Sequence, residues 1–277
     1  MRDPPCYDPA GMRIPVALIG LLYLYAPAAA AADLKDPLAR ARQLYNERSF
    51  DEAIAAAEEA GKAVERADSA DLIAARAYLE RFRESAAPDD LSKARDRLRR
   101  INAERLVPRE RSELIVGLGE GLYFDGAAGA AAGVFESVLS GSVALPPAAR
   151  ERVLDWWASA LDKDARAGRA NEADRRAVYQ KIRERMLTEL SANPANATAS
   201  YWLTAAAWSQ GDHQAAWDAA QAGWVRAPLA IDHGAELRGD LDRLVQRGLI
   251  PERARALAQP PATLQAEWDG FKERWTK

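Results

Sequence analysis

The chain has 277 residues, 48% hydrophobic and 29% charged, with 38 basic against 41 acidic side chains and a net charge of −3. That balance gives no global attraction to nucleic acid or to an anionic membrane surface, while the length is ample for one large core or two small ones. One cysteine, Cys6, and two histidines, His213 and His233, exclude a disulfide framework and show no metal-ligand spacing.

Beginning at Met12, the order is Arg13, an apolar stretch from Ile14 to Tyr25, then small residues up to Asp33. This is the order of a secretory signal, with cleavage expected near Ala30 to Ala32. Residues 1–32 are therefore expected to be a signal peptide whose true start is Met12, and the product to be periplasmic or secreted. The apolar stretch is shorter than the roughly 20 residues that cross a bilayer, so no stable membrane span is expected after cleavage. A retained anchor is the alternative. Cys6 would be removed, leaving a thiol-free chain suited to an oxidising compartment.

From Asp36 onward the patterns are helical, and prolines punctuate them at 37, 88, 108, 146, 194, 228, 251 and 260. Several stand just before a new helical pattern, as in PDDLSKARDRLRRI and PERARALA, where the missing N–H would be unpaired anyway. The basic run KARDRLRR (Lys93–Arg100) alternates with Ala94, Leu98 and Ile101, the pattern of a wet helix face rather than of a nucleic-acid patch.

Three stretches share one spacing. In LYNERSFDEAIAAAEEA, LGEGLYFDGAAGAAAGVFESVL and the segment from Ser200 to Pro228, a small residue follows an apolar or small one by nine positions. The pairs are Leu44 and Ala53, Leu122 and Ala131, Ala207 and Ala216; Phe82 and Ala94 form a looser copy around Pro88. Small side chains let two antiparallel helices approach, and Leu122, Phe135, Trp217 and Trp224 fill the wider spaces. Gly126 and Gly211 are expected to end the first helices in the left-handed conformation, and Pro228 to stop the last one.

These residues resemble the tetratricopeptide (TPR) repeats, whose pattern is W-x₂-L-G-x₂-Y, A-x₃-F and P. Leu118-Gly119, Ala131 and Phe135 match it, as do Leu203, Ala216 and Pro228; Ile115 and Ser200 stand in the tryptophan position and Thr204 in that of the helix glycine. An extra pair, RERVLDWWASALDKDA and RRAVYQKIRERMLTELSANP, fits between the second and third copies. The resemblance implies an all-α fold, a TPR-like helical-hairpin solenoid over 33–228 with a right-handed superhelix, closed by C-terminal capping helices over 229–277.

It also implies a concave groove, lined by the first helix of each pair, for a protein or peptide. The stripes facing it are Leu38, Arg42, Tyr45 and Asn46; Arg76, Leu79 and Arg83; Val116, Glu120, Tyr123 and Phe124; Tyr201, Ala205, Trp208 and Ser209. The alternative is that these rings pack on the next repeat. In the C-terminal part, Leu237, Leu241, Leu244, Val245 and Leu249 share one stripe. Leu264, Trp268, Phe271 and Trp275 share another, either a cap or a docking surface.

Catalytic patterns are wanting. GLGEGLYFDG fails the phosphate-loop spacing, Ser159 and Ser209 have no histidine in a nucleophile context, and Asp89-Asp90 opens a helix. The sequence is therefore read as a non-enzymatic exported scaffold that grips a protein or peptide, with no cofactor, no metal and no nucleic acid. One alternative is a small-ligand-binding or hydrolytic enzyme whose distant carboxylates meet in space. Another is a helical accessory subunit of an envelope complex that docks through the last helix.

Overall fold

Prolines open the helices, as their fixed φ and missing donor dictate. In the computed structural model, which describes residues 36–141, 145–167 and 171–276, α1 (Pro37–Asn46), α4 (Pro88–Arg100), α5 (Pro108–Phe124), α7 (Pro147–Arg166) and α13 (Pro261–Trp275) all begin on one. The expected signal segment lies outside the described residues. Between these helices lie α2 (Phe50–Ala60), α3 (Ala67–Ser85), α6 (Ala128–Leu139), α8 (Glu172–Ala192), α9 (Ala197–Ser209), α10 (His213–Arg226), α11 (Ala235–Leu244) and α12 (Ile250–Leu257). All regular structure among the described residues is helical. Side-chain caps hold several starts: Asp36 accepts from the Leu38 amide, Asn171 from Asp174, Asn196 from Ala199 and Asp212 from Ala215.

The nine-residue spacing has a backbone cause. Arg48, Gly126 and Gly211 sit at φ 64°, 81° and 77°. Beyond each, an amide reaches five residues back: Ser49 to the Leu44 carbonyl, Ala127 to Leu122, and Asp212 to Ala207, at 2.9, 2.9 and 3.0 Å. The carbonyls of Ser49, Ala127 and Asp212 then accept from Ala53, Ala131 and Ala216, four residues on. Five plus four fixes the small residue beside the start of the turn, and all three alanines are fully buried. At the looser copy Ala86 is left-handed, but its amide reaches only four residues back, to Phe82.

The chain divides into two compact units, the division falling inside α7 after Ala160. In the unit before it, α1 packs on α2, α3 on α2 and α4, and α5 on α4 and α6; α1 also touches α3, and α3 touches α5. Its core gathers Phe50, Ile54, Leu72, Tyr78, Leu79, Leu91, Leu98 and Leu114 around α3, whose buried residues lie on more than one face. Full burial of each large side chain stabilises by about 1.5–3 kcal/mol.

In the unit after the division, α9 packs on α8, α10 and α11. A π-helical segment, Val245–Leu249, carries α11 directly into α12. The stripe Leu237, Leu241, Leu244, Val245 and Leu249 is buried, as its spacing predicts. Trp268 of α13 is 0% exposed and meets the rings of Trp217, Trp224 and Phe271 at centroid distances of 5.8, 5.5 and 5.6 Å. Its indole N–H donates to Asp242 at 2.8 Å, which satisfies the one polar atom such a ring carries inward.

Candidate functional site

In the first unit, helical periodicity sets charged and aromatic side chains in rows on α1, α3, α5 and α7. Arg76, Glu80 and Arg83 are spaced i, i+4, i+7 on α3; Glu113, Glu120 and Phe124 follow i, i+7, i+11 on α5. Arg42 and Tyr45 come from α1, Arg152 and Trp156 from α7. Arg76 donates to Glu113 at 2.8 Å, and its guanidinium lies 4.5 Å above the Tyr45 ring. Arg42 pairs with Glu110, and Arg83 with Glu80 at 2.5 Å. Alongside runs an aromatic chain: Phe82 meets Phe124 at 4.9 Å, Phe124 meets Trp156 at 5.5 Å, and Trp156 meets Tyr123 at 5.0 Å.

The electrostatics single out Glu120. Its pKa is pushed from 4.5 to about 7, chiefly by burial and next by the Glu80 charge, against the pull of Arg76, Arg83 and Arg152. Tyr45 rises to about 12, again through burial first, opposed by Arg76 and helped by Glu80 and Glu120. Arg76 is held above its usual range because Tyr45, Glu113, Glu120 and Glu80 outweigh the effect of its burial. At neutral pH this face therefore carries a fixed set of arginines and one carboxyl poised between its two states.

The structure brings Tyr45, Arg76, Arg83, Glu120 and Phe124 of the expected stripes together, with Arg42 paired to Glu110 beside them; Tyr123, only 8% exposed and packed on Trp156, is core. Asn46 is exposed at the end of α1, and Leu79 belongs to the core. Glu80, Phe82, Glu113, Arg152 and Trp156 complete the arrangement without having been assigned to a groove stripe in the sequence; Phe82 was read as a repeat position, and Arg152 and Trp156 as part of the extra helix pair. Glu80 could have been found as the i+4 neighbour of Arg76, and Glu113 as the i−7 neighbour of Glu120.

In the second unit the expected residues serve packing. Tyr201 is only 7% exposed. Trp208 donates to Glu252 at 2.8 Å, and its ring lies on Gly248, where an added Cβ would come within 2.8 Å. Both line a cavity of only about 10 Å³, with Asp162, Arg166, Trp202, Ala205 and Leu244, which is room for about one water. Tyr201 and Trp208 thus follow the packing alternative, because the π segment places a glycine under the indole. Trp268 and Phe271, at 0% and 8% exposure, are likewise core rather than docking surface; of the stripe Leu264, Trp268, Phe271 and Trp275, only Trp275 keeps half its area open, at 51%. Asp162 accepts from Arg166 at 2.9 Å and Tyr179 at 3.0 Å; Asp162 and Tyr179 are buried and Arg166 is exposed, and burial pushes the Asp162 carboxyl up in pKa against the Arg166 charge.

The basic run on α4 is met by acids: Arg97 bridges Asp71 and Glu58, Arg100 reaches Asp71, and Arg95 reaches Asp125. His213 lies 3.5 Å from Glu252, on the same oxygen that accepts from Trp208. Among the described residues no cluster of three or more His, Cys, Asp or Glu could hold a metal ion, and no helix is long and apolar enough to cross a membrane. Compared with protein-family models, curated proteins and solved structures, the chain matches none.

Proposed function

We propose that this protein is an exported, non-enzymatic scaffold built as a TPR-like helical-hairpin solenoid, binding a segment of a protein partner along α1, α3, α5 and α7. The observation that carries the reading is the mixed row itself. Tyr45, Phe82, Phe124 and Trp156 are only partly buried and stand beside Arg42, Arg76, Arg83 and Arg152. Rings on rigid helices give contact area at low entropy cost, and arginine forks supply hydrogen bonds to an extended backbone. The small residues at the hairpin crossings support a stack that would turn as a right-handed superhelix and leave this row on its inner side. The order of residues 12–33 supports export.

The test is capture of partners from the native envelope by the wild type and by Tyr45→Ala and Phe124→Ala variants of unchanged helicity. Loss of one shared partner in both variants supports the reading; retention of every partner rejects it. A second reading, hydrolysis by converging carboxyls, is favoured by one feature, the Glu120 carboxyl, which burial first and the Glu80 charge next push up to about 7. Turnover of a hydrolase substrate panel that disappears in Glu120→Gln would move the conclusion to it.

A further inference from the structure

We infer that the second unit carries a dimer surface at the end of α10, on which a second copy of this chain docks about a two-fold axis, Arg226 of each copy meeting Glu236 of the other. The surface belongs to a different unit from the row on α1, α3, α5 and α7, and it does not depend on what that row binds.

The apolar part comes from one short run and one helix end. Val225 stands in the last turn of α10, Leu229 ends the 3₁₀ turn Ala227–Leu229, and Ile231 follows before α11; they are 40%, 61% and 75% exposed. Trp275, half exposed, is held at the same end: Thr276 accepts from the Trp224 indole at 3.2 Å, and the Trp275 carbonyl accepts from Arg238 at 3.4 Å. Large apolar side chains exposed singly are ordinary, but four at one end form the kind of patch that a partner covers.

A charge without a counter-charge stands in this patch. Nε and Nη2 of Arg226 are buried, and among the described residues its guanidinium has no hydrogen bond and no ion pair. Burial alone acts on it, pulling its pKa below the usual arginine range with no carboxylate to oppose the effect. The last turn of α10 offers the favourable end of a helix dipole, yet no carbonyl there accepts from it. Buried donors left unmade cost free energy, so this arginine is incomplete in the single chain. Its delocalised charge can be met by a carboxylate through Nη1, the nitrogen that is not buried.

A matching acid lies across the apolar run in the same chain. Glu236 stands in the first turn of α11 with an exposed side chain that makes no hydrogen bond and no ion pair among the described residues. Partial burial first, then Asp232 and Asp240, push its carboxyl up in pKa, and no cation pulls it down. The neighbouring acids are committed: Asp232 accepts from the Gly234 and Glu236 amides at 2.9 and 2.8 Å, and Asp240 pairs with Arg243. Arg226 and Glu236 therefore do not neutralise each other within one chain.

A two-fold axis through the apolar run exchanges its two sides, so Arg226 of each copy falls opposite Glu236 of the other. An unrelated partner would have to bring a carboxylate, a cation and an apolar centre between them; a second copy brings all three at the spacing already set. That self-complementarity selects the occupant. The patch is small, so the dimer should be weak, with a Kd of about 1–100 μM.

The test follows the full chain, purified from its native host, by sedimentation equilibrium from about 1 to about 300 μM. The expected result is a monomer–dimer equilibrium with no larger species, as a closed interface requires. Arg226→Glu and Glu236→Arg should each weaken dimerisation at least about tenfold, and Ile231→Ser by about tenfold, all with helicity unchanged. Arg226→Glu combined with Glu236→Arg should restore association to within about threefold of the wild type, since the pair is rebuilt with its signs exchanged. If Arg226→Glu fails to fold, Arg226→Gln takes its place and should relieve the Glu236→Arg defect by removing the like charge that variant meets. A monomer throughout the range, whatever else then binds the patch, overturns the proposal. So does a dimer that the single charge reversals leave intact, or one that the double reversal fails to restore.

Discussion

Gly119 lies beneath the ring of Phe135: a Cβ added to that glycine would come 2.6 Å from Cε1 and 2.8 Å from Cζ. Phe135 is fully buried, so the ring has little room to withdraw. Gly119→Ala should therefore destabilise by about 1–3 kcal/mol through overpacking. Gly121, two positions on in the same helix, has nothing within 4 Å of its would-be Cβ. Gly121→Ala should stabilise by up to about 1 kcal/mol through helix propensity. Urea unfolding of the two variants should give opposite signs; equal signs would remove the close approach of α5 and α6 from the account.

The turn residues permit a similar contrast. Gly211 adopts φ 77° with open space around it, so Gly211→Ala meets no neighbour and should lose about 1 kcal/mol from backbone strain alone. Arg48 occupies the equivalent place at φ 64°, and its ion pair with Glu84 is exposed on both sides. Such pairs contribute little, so Arg48→Gly should be neutral or stabilising by up to about 1 kcal/mol. Thermal unfolding reads both.

Glu120 links stability to pH. Its folded pKa of about 7 lies above the ordinary 4.5, so the folded state binds the proton more tightly than the unfolded chain. Stability contributed by this group is thus full below about pH 4.5, falls as pH rises, and levels off above about 7. Glu120→Gln should match the wild type near pH 5 and exceed it at pH 8 by about 1–3 kcal/mol, the upper figure being the unscreened limit. A difference that stays constant across this range would deny the shift.

The last helix separates anchor from ornament. Trp268→Ala empties a closed aromatic cluster and takes one of three donors from Asp242, leaving Lys272 and Gln246, so it should cost about 3–5 kcal/mol. Trp275→Ala, at the half-open end, should cost less than about 1 kcal/mol. If chemical denaturation ranks them the other way, the packing of α13 is not as described.

The helices and their reversals were legible because their signals are local. Proline at a first turn, glycine at a left-handed position and the nine-residue step from Leu122 to Ala131 each reflect bonds within one hairpin. What pairs across helices was not legible. Arg76 meets Glu113 only because α3 and α5 settle at one register, and no spacing along either helix states that register. The stripe of Trp268, Phe271 and Trp275 has the same 4-3-4 period whether it faces water or other rings; Trp217 and Trp224 of α10 decide it. The π segment gave no signal either, and it turned Trp208 from a groove residue into a lid on Gly248. On α7, Arg152 and Trp156 were read as part of an extra helix, so their place beside Glu120 and Phe124 came from the structure.

The proposed binding face is tested most directly by photo-crosslinking in the native cell, with a benzophenone side chain placed at Asn46, beside the row, or at Arg83, within it, and at the exposed Leu187 of α8 as a control. Attachment of one and the same partner segment to positions 46 and 83, absent at 187 and competed by the purified partner, is the predicted result. Crosslinks concentrated at Leu187, or spread equally over all three positions, would contradict a partner seated along α1, α3 and α5.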